Sequence, residues 1–135
     1  MCSSDLGKDV SLFTYAFMVS QALEAAERLA REGIEAEVID LRSLVPLDEE
    51  TVFASVKKTG HAVVIHEDSR RLGAGAEISS RIHESCFKDL RAPVYRLAAP
   101  DVPIPFSPPL EKLYLPDADD IQKACRQTLS FHETH

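Results

Sequence analysis

The sequence predicts an α/β domain of three layers, with helices on both faces of a mostly parallel sheet. Two observations carry this reading. Short β-branched runs alternate with helical patterns along the chain, as crossover-connected parallel strands require. At the centres of two runs, Val38-Ile39 and Val63–Ile65, apolar residues are continuous rather than alternating, as in strands buried on both faces.

"VSLFTY" (10–15) is rich enough in β-branched and aromatic residues for a first strand. In the following segment Met18, Val19, Ala22, Leu23, Ala26, Leu29 and Ala30 recur at steps of three and four, which predicts one buried helical face. Glu24 with Arg28, and Glu27 with Arg31, are i,i+4 pairs in the favourable order. Gly33 ends this helix at the position that takes a left-handed conformation. "EAEVIDL" (35–41) is the second strand, with Asp40 and Arg42 marking its carboxyl end. Pro46 closes the connection, since proline cannot continue an interior ladder. Asp48 is the expected N-cap of a second helix, with Glu49 and Glu50 in its first turn and Gly60 as its stop.

"HAVVIHE" (61–67) gives a third strand, and "DSRRLGAGA" leads into a helix with Ile78, Ile82 and Cys86 on one face. "APVYRLA" (92–98) reads as a fourth strand. The proline-rich stretch 99–116 is expected to be extended and irregular, a strap rather than a free ligand for proline-recognising modules. A closing helix runs from Asp117 to Thr128, with Ile121, Ala124, Cys125 and Leu129 at core spacing. Residues 1–9 thus form a lead-in or the remnant of a longer N-terminal part. Residues 10–129 make the domain, and 130–135 a flexible tail.

The composition sets limits on function. A net charge of −7 over 135 residues argues against a general nucleic-acid binder, whose footprint is basic. Cys2, Cys86 and Cys125 are far apart and without Cys-x-x-Cys spacing, so neither zinc nor a disulfide framework is expected. They suit a reducing compartment: the cytoplasm, or the mitochondrial matrix in a eukaryote. No apolar run approaches the roughly 20 residues of a membrane helix.

Individual motifs carry little chemistry. "LGAGAE" (72–77) opens a helix and could cradle a phosphate, but Gly73 and Gly75 lack a third glycine at dinucleotide spacing and any Gly-Lys-Ser/Thr. A tight strand-to-helix turn is the preferred reading. His66, Glu67 and Asp68 lie at a strand end, yet adjacent residues on an extended segment point alternately and do not converge. "HETH" (132–135) has its histidines three apart, where the zinc signature needs four.

The ordered set "VIDLRSLVPLDEET", "SVKKTGHAVVIHED", "GAGAEISSRI", "LRAPVYRLAAPDVPIPFS" and "LEKLYLP" is far more specific. It resembles the C-terminal domain of the beta subunit of thiamine-diphosphate-dependent 2-oxo acid dehydrogenases, the pyruvate, branched-chain 2-oxo acid and acetoin type. Transketolase carries a more distant version. The match spans about Gly7 to Leu129.

This resemblance implies a five-stranded, mostly parallel mixed sheet whose first strand runs against the others. It implies that the chain has no catalytic, cofactor-binding or metal residue of its own, and that thiamine diphosphate and magnesium are bound by other parts of the parent enzyme. The expected role is assembly: a homodimer of beta-type domains, contact with an alpha subunit or alpha half, and docking of the lipoyl acyltransferase core. The motifs mark Asp40, Arg42, Pro46, Asp48, Glu67, Gly73, Gly75, Glu77, Arg91, Pro93, Asp101, Pro103 and Pro105 as structural or interface candidates. Two positions depart from the family pattern: Arg91 stands where an acid is usual, and Ala16 where glycine is common. The alternative reading is a free-standing ligand-binding or regulatory α/β domain, holding an anion at the strand ends near His66 and Gly73. A transketolase-like or deoxyxylulose-phosphate-synthase-like parent fits the motifs less well.

Overall fold

Successive residues of the first strand serve opposite layers of the molecule. Leu12 and Phe13, both fully buried, point to opposite faces of one sheet. The computed structural model describes residues 9–14, 18–41, 49–69, 74–99 and 117–131. Within them run β1 (Val10–Thr14), α1 (Met18–Arg31), β2 (Ala36–Asp40), α2 (Glu49–Thr59), β3 (Ala62–Ser69), α3 (Ala74–Cys86), β4 (Tyr95–Ala99) and α4 (Ala118–Leu129). A single 3-10 turn, Phe87–Asp89, follows α3.

The strands lie in the order β2-β1-β3-β4, and every pairing is parallel. The described residues thus contain four strands where five were expected, and β1 does not run against its neighbours. Each successive pair of strands is joined through a helix, and such a crossover brings the chain back in the same direction. In register, Thr14 sits beside Asp40 on one side and Ile65 on the other.

One face of the sheet packs Val10, Leu12, Val38, Val63 and Ile65 against Ala22, Ala25 and Leu29 of α1 and Ile121, Ala124 and Cys125 of α4. The other packs Phe13, Ile39, Val64 and Val94 against Val52 and Val56 of α2 and Ile78, Ile82 and Cys86 of α3. Removing these side chains from water is the main favourable term in folding, at about 1.5–3 kcal/mol for a fully buried Val, Leu, Ile or Phe.

The buried stripe of α1 is displaced from the predicted one. Leu23 is 51% exposed and Ala30 is exposed, while Ala25, absent from the predicted face, is fully buried. Apolar residues here cover more than half the helix circumference, and spacing alone does not say which flank meets the sheet. Outside the apolar layers, Arg28 bridges Glu24 and Asp119, and Arg126 meets Glu32, so ion pairs link α1 to α4.

A buried hydroxyl cluster ties β1 to α2. Ser11 Oγ lies 2.6 Å from Ser55 Oγ and 2.8 Å from Thr59 Oγ1, which donates to the His61 carbonyl at 3.0 Å. His61 Nδ1 stands 3.3 Å from Thr128 Oγ1, extending the contacts to α4. Each hydroxyl both donates and accepts, so the group can be buried without an orphan. Glu37, also buried, meets the ammonium of Lys58.

β3 runs two residues beyond the predicted 61–67 stretch, because Ser69 still pairs with Ala99 after an irregularity past Ile65. Conversely β4 begins later than predicted. Before it, Arg91 N donates to Gly60 O at 2.8 Å rather than to a strand, and Pro93 has no N–H to give.

Candidate assembly surface

Of the motif residues, Arg42, Pro46, Asp48, Gly73, Asp101, Pro103 and Pro105 lie outside the described residues. Glu67 falls within β3 and Gly75 within the first turn of α3. Gly75 is therefore helical, and the predicted tight turn can involve only what precedes it.

The remaining candidates are dispersed over the molecule. Asp40 ends β2 at the carboxyl side of the sheet and is partly buried. Glu77 is exposed on α3, where its carboxylate accepts from Arg81 Nε at 2.8 Å. Arg81 also reaches Glu49 at 2.5 Å and so bridges α3 to the start of α2. The hydrogen bond that Arg81 donates to Glu77 is the leading reason that its guanidinium is held above its ordinary pKa. Exposed pairs of this kind contribute little stability individually, but they fix the mutual placement of two helices.

Arg91 and Pro93 sit at the opposite, amino end of the strands, and both are exposed. Gly60 explains how Arg91 is held there. Its φ of +75° is a conformation that glycine adopts without strain. A Cβ built on it would meet Arg91 Cγ at 3.0 Å and Cδ at 3.1 Å. The side chain of Arg91, from Cγ to Nε, thus lies against Gly60, in a residue that is exposed overall. The structure brings Arg91 to Gly60 but does not bring Asp40, Glu77 and Arg91 to one place. They are parts of a surface, not of a single pocket. Among the described residues, no group of three or more His, Cys, Asp or Glu side chains could hold a metal ion.

Two surface features escaped sequence reasoning. Phe87, in the 3-10 turn, is 73% exposed. Tyr95 and Leu97 of β4 line a groove of about 220 Å³ with Asp120, Lys123, Ala124 and Gln127 of α4. The helix residues alone carried a signal, since 120, 123, 124 and 127 recur at helical spacing; their meeting β4 required the topology.

Residues 3–121 match the family described as Transketolase, C-terminal domain. The chain belongs to this family. As a transketolase C-terminal domain, it is 50% identical over 123 residues to the beta subunit of acetoin:2,6-dichlorophenolindophenol oxidoreductase from Cupriavidus necator, covering 91% of this chain and 36% of that one. It is 43% identical over 125 residues to the beta subunit of the pyruvate dehydrogenase E1 component of Bacillus subtilis, covering 93% and 38%. An Arabidopsis thaliana E1 beta subunit, named as mitochondrial, is 49% identical over 121 residues, or 90% of this chain and 33% of that one. Among solved structures, a split-gene transketolase described as an inactive beta4 tetramer aligns with a TM-score of 0.80 and 32% identity, over 96% of this chain and 41% of that one. This transketolase C-terminal domain therefore spans between about a third and two fifths of the length of these relatives. Its three-layer α/β architecture is the predicted one.

Proposed function

We propose that this domain is the assembly and docking part of a thiamine-diphosphate-dependent 2-oxo acid dehydrogenase of the beta-subunit type. The observation that carries the reading is the identity of 42–50% to acetoin and pyruvate dehydrogenase beta subunits, sustained over nine-tenths of the chain. In such an enzyme thiamine diphosphate supplies the carbanion chemistry of decarboxylation, and the acyl group passes to lipoamide. This domain holds neither the cofactor nor its magnesium. It contributes the surfaces on which beta-type copies meet each other, the alpha subunit and the lipoyl acyltransferase core. The name of the split-gene relative, an inactive beta4 tetramer, supports self-association of beta-type chains and the inactivity of such an assembly. The place of work is the cytoplasm or the mitochondrial matrix.

Arg91 sets the character of the docking surface. Exposed and lying against Gly60, it repels a basic partner where the family pattern offers an acid. Titration calorimetry with a basic docking domain of the acyltransferase tests this. Arg91→Glu is expected to tighten binding by about tenfold, a change of roughly 1.4 kcal/mol. Unchanged or weaker affinity removes Arg91 from the docking surface.

A further inference from the structure

We infer that the surface around Phe87 docks a segment of a partner protein in which acidic residues flank one apolar side chain, the acids meeting Lys57, Lys88 and Arg91. Such a site rests on the docking reading above and specifies the chemistry of the partner.

Phe87 is 73% exposed in the 3-10 turn after α3, with Lys88 and Asp89 exposed beside it. The C-terminal half of α2 lies along this turn. Cys86 Sγ is 4.0 Å from the Phe53 carbonyl oxygen, and Arg91 N donates to Gly60 O at 2.8 Å. Phe53 and Leu90 are both partly buried against the same core. Lys57, one turn after Phe53, is exposed, and its charge acts on the Cys86 thiol against the burial that raises it. Lys57, Lys88 and Arg91 therefore gather at the turn that presents Phe87.

These three cations are set apart by their lack of partners. Arg28, Arg31, Lys58, Arg81 and Arg126 each meet a carboxylate. Lys57, Lys88 and Arg91 have no ion-pair partner among the described residues. In a chain of net charge −7, they make a local surface that attracts acids and repels bases. An exposed phenylalanine beside an arginine is the kind of anchor found at interface centres, and covering its ring removes apolar area from water. A nucleic acid fits less well, because the exposed Asp89 and Glu84 stand among the cations and oppose an unbroken run of phosphates. A protein segment with separated acids meets the cations, and the apolar residue between them covers Phe87.

Fluorescence anisotropy on the full chain tests this, with a labelled synthetic peptide of alternating Glu and Ala around one central Leu. The probe is expected to bind saturably at low salt, and its counterpart with Lys for Glu is not. Lys88→Glu, Arg91→Glu and Phe87→Ser are each expected to weaken binding by about tenfold. Lys123→Glu makes the same charge change on α4, across the sheet from α2 and α3, and is expected to leave binding unchanged. Circular dichroism checks that each variant folds. A loss in Lys123→Glu equal to that in Lys88→Glu reduces the effect to net charge and overturns the site. Failure of the acidic peptide, with a basic docking domain still bound, overturns the partner chemistry and leaves the docking reading standing. A chain that binds neither overturns both.

Discussion

Leu23 and Leu29 are the same residue type on one helix, yet they have opposite fates, and their substitution separates burial from pattern. Leu29 is fully buried among Ala22, Ala25 and the α4 side chains, and truncation to alanine leaves a cavity. Leu29→Ala is expected to lower unfolding stability by about 2–5 kcal/mol in urea titrations. Leu23→Ser, at a half-exposed site, is expected to change it by no more than about 0.5 kcal/mol. Cys125 gives a second test. Burial pushes its thiol up to about 12, so thiolate is scarce at neutral pH. N-ethylmaleimide at pH 8 is expected to leave Cys125 unlabelled in the folded chain and to label it in guanidinium, as read by peptide mass spectrometry. The same shift sets a sign for stability. The unfolded thiol loses its proton from its ordinary value of 9.0 and the folded one only near 12, so this contribution is complete below pH 9 and is lost as pH rises toward 12.

Helix ends in this chain are set by local chemistry, and two glycines show how far tertiary contact adds to it. Gly33 and Gly60 both have positive φ, at 84° and 75°. Space around Gly33 is open, so Gly33→Ala meets only the backbone cost of about 1 kcal/mol. At Gly60 a methyl group must also displace the Arg91 stem, 3.0 Å from its position. Gly60→Ala is therefore expected to destabilise more than Gly33→Ala in the same denaturation assay. It is also expected to move Arg91 and alter docking, which Gly33→Ala leaves alone. The start of α4 is a full capping box: Asp117 Oδ1 accepts from Asp120 N at 2.9 Å, and Asp120 Oδ2 accepts from Asp117 N at 3.1 Å. Loss of the cap in Asp117→Ala is expected to cost about 0.5–2 kcal/mol. The three residues Asp117, Asp119 and Asp120 made this helix start legible in the sequence, although only Asp117 was read as its boundary.

For the whole molecule, the proposed role predicts no 2-oxo acid decarboxylation by this chain supplied with thiamine diphosphate and magnesium. Turnover above the no-protein control in a carbon dioxide release assay refutes that role. The amino-acid sequence by itself determined the order of strands and helices, the three layers and the family, because each depends on local patterns. Continuous apolar runs mark buried strands, three-four spacing marks helices, and ordered motifs mark descent. It left other matters to the tertiary structure. The strand order β2-β1-β3-β4 depends on which way each crossover turns. The choice between Leu23 and Ala25 for burial depends on where the sheet lies beneath a helix that is apolar on two flanks. The perch of Arg91 on Gly60, and the meeting of Tyr95 with Lys123, join residues 28 or more positions apart. Spacing along a chain reports the face a residue occupies on its own element. Only packing decides which other element that face will meet.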